Sequence, residues 1–301
     1  MRLTGLGVEL SEKVILDTDI GSDIDDAVAL AFLLANPDCD LLGVTTVSGQ
    51  AIERAKLASA LCMAAGRDVP VFPGVEDPLK AVQRQPLARQ SAVLDRWPHR
   101  KTFPQGGANT FIAETARHDP GEITLLSIGP MTNIARLFVE HPDTALLLKS
   151  LVIMAGRFGP APRGRGTEEW NVLCDPHAAA IAYSAPVNLH RSVGLDVTMK
   201  LQMPAADVRR RFQTGLLRPV LDMAEVYFSD EKVITFHDPL AAVCIFHPEV
   251  CKFEKGRAVV KAEPNDEGRF MNWRPDARGP HEAAVAVDPA RFFERYFRVF
   301  E

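Results

Sequence analysis

The chain has little of several things that would narrow its work at once. Its five cysteines, Cys39, Cys62, Cys174, Cys244 and Cys251, are scattered and odd in number, with no C-x-x-C pair. That pattern argues against a cysteine zinc site or a disulfide framework and leaves small core thiols. No apolar run is long enough to span a bilayer, and the opening MRLTGLGVELSEK lacks the apolar core of a signal peptide. A cytoplasmic location without a membrane partner is therefore expected. Positive charge is not in surplus: 34 Lys and Arg stand against 39 Asp and Glu, a formal net charge of −5. No broad electrostatic footprint for nucleic acid follows from that balance. Neither a G-x-x-x-x-G-K-[ST] loop nor a G-x-G-x-x-G turn occurs, so two common phosphate cradles are missing.

What is there suits one large α/β domain: 301 residues, 47% hydrophobic and 24% charged. Short apolar runs alternate with helical patterns, the signature of βαβ units. Strands are predicted at Val14–Thr18, Leu41–Val47, Val69–Phe72, Ile123–Ile128, Leu151–Met154 and Val187–His190. Helices are predicted at Ala27–Ala35, Ile52–Ala65, Thr110–His118, Asn133–Glu140, Pro176–Ser184 and Leu216–Phe228. Near the end, Arg257–Glu263 and His281–Asp288 read as strands and Arg291–Phe300 as a closing amphipathic helix. The fold class is α/β: an open, mainly parallel (mixed) sheet with helices on both faces, formed by residues 1–301 as a single domain. Long loops interrupt it at about 73–107 and 157–171, the first rich in Pro, Gln and Arg.

The densest chemistry is Asp17-Thr-Asp19-Ile-Gly-Ser-Asp23-Ile-Asp25-Asp26, five aspartates in ten residues between an apolar strand and an apolar helix. In an open α/β sheet, that junction is where ligands bind. Helix capping accounts for Asp25 or Asp26 but not for Asp17, Asp19 and Asp23 as well. A hard divalent cation with oxygen ligands would offset the repulsion. An EF-hand is a poor match, because Ser22 and Val28 stand where its glycine and closing glutamate belong. A strand followed by D-x-D also opens haloacid-dehalogenase-type phosphatases, in which Asp17 would be the nucleophile beside Mg²⁺. Further along, His237-Asp238-Pro239 offers either an N-cap with Pro at the first helical position, or a carboxylate beside a group titrating near neutrality. Glu169-Trp170-Asn171 alternates two polar residues across Trp170, so an extended segment would present both to a polyhydroxyl ligand. Asp175-Pro176 reads as a plain helix cap. Trp97, Trp170 and Trp273 each offer a ring to stack on a base, with packing as the plainer role.

Taken in order, D17-T-D19…D25-D26-A-V-A-L, G43-V-T-T-V-S-G49, I128-G-P-M-T-N133, M154-A-G156, E169-W-N171, H237-D-P-L240 and V285-A-V-D288…R291-F292 resemble the nucleoside hydrolase family, the inosine/uridine-preferring N-ribohydrolases. The resemblance runs from about residue 14 to 293 and implies a Rossmann-like nucleoside hydrolase fold. It further implies Ca²⁺ held by Asp19, Asp26, Asp238 and the carbonyl of Ile128, and a ribonucleoside as partner. By the same resemblance Asp19 is the base that takes a proton from water and His237 the acid that helps the nucleobase leave. Asp25, Met154, Glu169, Trp170 and Asn171 are the implied substrate contacts, and a homodimer or homotetramer is common among such proteins. Three departures stand out. The aspartate loop is expanded, so Asp23 is a ligand candidate in place of Asp19 or besides it. Gln50 follows Gly49 where Asn or Asp is usual at the substrate. The Asn expected ahead of the Glu169 motif is missing near Pro162–Arg165. A calcium–ribose binding protein without turnover remains the non-enzymatic alternative.

Overall fold

Val14, Ile15 and Leu16 are wholly buried in the first strand, β1 (Glu12–Thr18), a setting that suits branched apolar side chains. The computed structural model describes residues 11–104, 106–159, 168–213, 215–265 and 270–301. After β1 come α1 (Asp25–Ala35), β2 (Cys39–Thr46), α2 (Ala51–Ala64) and the short β3 (Val71–Pro73). The middle of the chain adds α3 (Ala108–His118), β4 (Ile123–Ser127), α4 (Thr132–Glu140), α5 (Thr144–Leu147) and β5 (Ser150–Met154). Next are α6 (Trp170–Cys174), α7 (Pro176–Ser184), β6 (His190–Val193) and α8 (Leu195–Thr198). Strands β7 (Gln202–Pro204) and β8 (Val233–Thr235) pair antiparallel, with α9 (Ala205–Arg211) and α10 (Leu217–Tyr227) between them. The chain closes with α11 (His237–Phe246), β9 (Cys251–Val260), β10 (Met271–Pro275), β11 (His281–Val287) and α12 (Pro289–Arg298).

The main sheet runs in the order β10-β9-β11-β6-β5-β4-β1-β2-β3. Pairing is parallel from β3 to β11, and β9 alone runs the other way, pairing antiparallel with β11 on one side and β10 on the other. Every residue of β4 and β5 is buried, as expected of parallel strands covered on both faces. The alternation of β1 shows the two layers: Val14 and Leu16 join the core under α1, α2 and α11, while Ile15 joins the core under α3, α4 and α7. Strand order reverses between β1 and β4, where crossovers leave in opposite directions and open a crevice at the carboxyl edge. Helix α1 is apolar all round and is buried from Asp25 to Leu34 among α2, α10 and α11. That burial seats its acidic first turn at the crevice.

Several boundaries differ from the sequence reading. The sixth strand starts at His190, because the Val187 N–H is drawn into a tight turn onto the Ala185 carbonyl. The strand expected at Arg257–Glu263 is β9, which begins at Cys251 because it pairs along nearly the whole of β11. The 73–107 stretch is not without structure, since Arg89–Arg96 winds into a 3-10 helix. Trp170–Cys174 is a helix and not an extended segment; the Glu169 carboxylate caps it, accepting from the N–H groups of Asn171 and Val172. The missing-Asn region near Pro162–Arg165 lies outside the described residues.

Candidate active site

Strands β1 and β4 end at Thr18 and Ser127, so Asp19 and Ile128 leave the sheet side by side. Gly129 allows their close approach: a Cβ there would stand 2.7 Å from Oδ1 of Asp19 and 2.9 Å from Val47. A cavity of about 400 Å³ opens at this edge. Its floor includes Asp19, Asp25, Asp26, Ile128 and Asp238; Met154, Glu169, Trp170 and Asn171 form one wall. His237, Leu195, Val226, Tyr227, Arg89, Asp230 and Glu231 complete the lining.

Asp25, Asp26 and Asp238 are buried, and each offers a carboxylate oxygen within 4.8 Å of the others. The first turns of α1 and α11 supply them, and the Asp238 N–H donates to Oδ2 of Asp25 at 3.2 Å. None of the three caps its helix: the capping positions are Ile24 and Phe236, with no side-chain bond. Thr18 Oγ1 donates to Asp26 Oδ1, and the Asp19 N–H does so at 3.2 Å, which fixes that carboxylate. Burial, above all, pushes all three carboxyls well above the ordinary range. Neighbouring charge adds to it: Asp23 against Asp25, Asp19 against Asp26, and Asp25 against Asp238. Such a set stays ionised only beside a cation. Buried, convergent and all oxygen, these donors fit a hard divalent ion, with the Ile128 carbonyl in the same cavity.

Asp19 lies outside that trio. Its Oδ2 accepts from Nε2 of Gln85, whose Oε1 in turn accepts from the Trp170 indole N–H at 2.7 Å. Beneath the loop, the wholly buried Arg54 of α2 donates to the carbonyls of Asp19, Ile20 (3.2 Å), Gly49 (2.9 Å) and Gln85 (3.2 Å) and to Ser22 Oγ (3.0 Å). One guanidinium therefore ties the aspartate loop, the β2–α2 turn and the 73–107 segment together. Neither Gln85 nor Arg54 was anticipated. Arg54 did leave a trace: it shares a helix face with Ala51, Ala58 and Leu61, all buried, where a charge is out of place. Gln85 left none.

Asn171 donates from Nδ2 to the carbonyls of Ile128 (2.8 Å) and Met154 (3.0 Å), joining the β4 and β5 ends. Glu169 accepts from Asn171 N (2.7 Å), Val172 N (3.0 Å) and Gly156 N (3.1 Å), and burial pushes its carboxyl up to about 7. Its first task is to hold this wall. His237 accepts at Nδ1 from Thr198 Oγ1 at 2.7 Å if the other ring nitrogen carries the proton. Its enclosure pulls it down to about 4, so it is neutral at pH 7 and does not titrate near neutrality as the sequence suggested.

Other residues fall elsewhere. Gln50, in the left-handed region at φ 61°, is exposed, does not line the cavity, and accepts through Oε1 from Ala88 N at 2.8 Å. Asp23 lines the cavity but not the carboxylate trio; its Oδ1 accepts from Ile24 N at 2.6 Å. Asp17 is buried away from the cavity, accepting from Thr45 Oγ1 (2.5 Å) and Asn133 Nδ2 (2.7 Å), so it cannot serve as a phosphatase nucleophile in this arrangement. Asp175 caps α7 as expected, accepting from Ala178 N at 3.0 Å. Trp97 donates to Asp222 and Trp273 packs against Phe158, leaving Trp170 alone of the three on the cavity wall.

A family profile described as inosine-uridine preferring nucleoside hydrolase matches residues 14–294. A probable uridine nucleosidase 2 of Oryza sativa subsp. japonica is 30% identical over 271 residues, 84% of this chain and 78% of that one. The pyrimidine-specific ribonucleoside hydrolase RihA of Salmonella agona is 30% identical over 263 residues, 79% of this chain and 80% of its own. Among solved structures, a plant nucleoside hydrolase superposes with a TM-score of 0.80 at 24% identity, over 96% of this chain and 98% of that one. A purine-preferring ribonucleoside hydrolase from Gardnerella vaginalis gives the same TM-score, 0.80, at 23% identity and the same coverage, 96% and 98%. These two likenesses speak for the fold.

Proposed function

Since this chain belongs to the inosine-uridine preferring nucleoside hydrolase family, a family of N-glycosyl hydrolases, we propose that its cavity hydrolyses the N-glycosidic bond of ribonucleosides to ribose and free base, and that it needs Ca²⁺ to do so. The observation that carries the calcium part is the buried trio Asp25, Asp26 and Asp238. Asp26 and Asp238 would hold the ion, with the Ile128 carbonyl and Asp19 beside them. A divalent ion held by these residues would supply Lewis acidity toward water and the sugar hydroxyls. The chain's own groups do the rest. Asp19, next to that position, takes the proton from the attacking water. Asp25 and Asn171 orient the ribose, and the carboxylates place negative potential where positive charge grows on the sugar. His237, which lines the same cavity as a neutral imidazole anchored through Thr198, gives the leaving base a hydrogen bond. The half-exposed Trp170 offers an apolar face to the substrate.

The relatives' names span uridine, pyrimidine and purine substrates, so the test uses a panel of all four common ribonucleosides and inosine. Ribose release is expected with calcium and a loss of it with chelator. Asp26→Ala should abolish calorimetric calcium binding and hydrolysis together. Wild-type calcium affinity in that variant would refute the ligand assignment.

A further inference from the structure

Gln85 stands out among residues the reaction does not need as ligand, acid or base. It is buried although its neighbours Arg84, Pro86 and Leu87 are exposed, and it comes from the long segment after β3, far from any motif. Its backbone is held on both sides: the N–H donates to Gln83 Oε1 at 2.7 Å, and the carbonyl accepts from Arg54 at 3.2 Å. Its carboxamide can face only one way. An indole N–H is a donor and nothing else, so the oxygen must meet Trp170 and the NH₂ group must meet Asp19. On the other side of that carboxylate, Oδ1 lies against Gly129, where no side chain could be accommodated. Gln85 and Gly129 thus close on the two oxygens of Asp19 and set its plane, while the same amide sets the Trp170 ring.

We propose that Gln85 is a positioning residue, which aligns the Asp19 carboxylate for proton removal and couples that alignment to Trp170 on the substrate wall. This rests on the hydrolase reading above. Misplacing a reacting group by about 1 Å costs on the order of 10²-fold, and loss of an orienting partner about 10–100-fold. Gln85→Leu should therefore lower kcat by about 10–100-fold while KM moves less than about threefold. Calorimetric calcium affinity should fall by no more than about 10–100-fold, because Gln85 touches Asp19 beside the ion position without being a ligand, and the kcat loss should persist at saturating calcium. Gln85→Met, similar in length but with no N–H to donate, should lose as much kcat as Gln85→Leu. It serves as the deciding variant if the leucine form does not fold.

The coupling has a readout independent of turnover. In metal-free protein, Gln85→Leu should shift tryptophan emission and raise its quenching by acrylamide in the wild-type background. The same substitution in Trp170→Phe should change neither. Full kcat in Gln85→Met, or an equal emission change in both backgrounds, would overturn the proposal. If wild-type protein released no ribose from any nucleoside, the hydrolase reading would fall, and with it the proton-removal role. An emission change confined to the Trp170 background would then show that the bridge exists for another purpose.

Discussion

Replacing Arg54 with methionine keeps a long, flexible side chain in the same helical position and removes every donor. The guanidinium is wholly buried and serves the carbonyls of Asp19, Ile20, Gly49 and Gln85. Each hydrogen bond to a charged group contributes about 1.5–3 kcal/mol net, and the acceptors left behind would be unpaired in a buried setting. These terms do not add in full, because water can enter once the guanidinium is gone. Breaking one side of a buried charged network costs about 3–5 kcal/mol, and we take that range. It is a large fraction of the roughly 5–15 kcal/mol that holds a domain together. At about 2.1 cal/mol/K of unfolding entropy per residue, each kcal/mol moves the Tm of a chain this long by roughly 1.6 °C, so the midpoint should fall by about 5–8 °C. Urea unfolding of metal-free wild type, Arg54→Met and Arg54→Lys, followed by circular dichroism, measures it. Lysine keeps the charge but reaches one or two of the acceptors, so it should recover less than half of the loss. A loss below about 1 kcal/mol for the methionine form would mean that the three loops are held by something else.

Other outcomes follow from buried groups. His190 sits between the rings of Tyr183 and His281, each with its centroid 4.7 Å away, and burial pulls its pKa from 6.5 down to about 3. The unfolded chain therefore takes up that proton first: stability is intact above pH 6.5 and falls by about 1.4 kcal/mol per pH unit on the way to 3. His190→Phe should flatten this slope between pH 6 and 4 in urea titrations; an unchanged slope would clear His190. Glu169→Ala strips the acceptor from three backbone N–H groups and should cost about 2–4 kcal/mol at pH 8, whereas Glu169→Gln, which keeps one acceptor oxygen, should cost less. Equal losses for the two would argue against the capping role.

The parts of the site legible in the sequence were those carried by adjacent residues. Asp25-Asp26 and His237-Asp238-Pro239 announce carboxylates at two helix starts, the first helix placed by its apolar run and the start of the second marked only by its Asp-Pro pair. The parallel strands were legible for the same reason, being short, apolar and evenly spaced between helices. What stayed hidden depends on contacts across the fold. Glu169-Trp170-Asn171 looked extended because alternation is a strand signal, whereas two backbone donors, of Asn171 and Val172, drawn to the Glu169 carboxylate wind it into a helix. Gln50 looked like a substrate contact from its place after Gly49, but Ala88 on the next loop claims its side chain. Gln85 has no local signature, because its role comes from where the long segment lands. His237 looked like an ordinary histidine until the enclosure around it was known.

Asp25 and Asp238 meet across 213 residues of chain. During synthesis, the first two acids of the cage leave the ribosome long before the third, and the waterproof core helix behind them has no α11 to lie against. The proposed cation would therefore reward only the last step of maturation, the docking of α11, and not the early collapse. On that proposal, depriving cells of the ion would leave newly made chains with a loosely latched C-terminal segment from His237 onward while their first strands are already set.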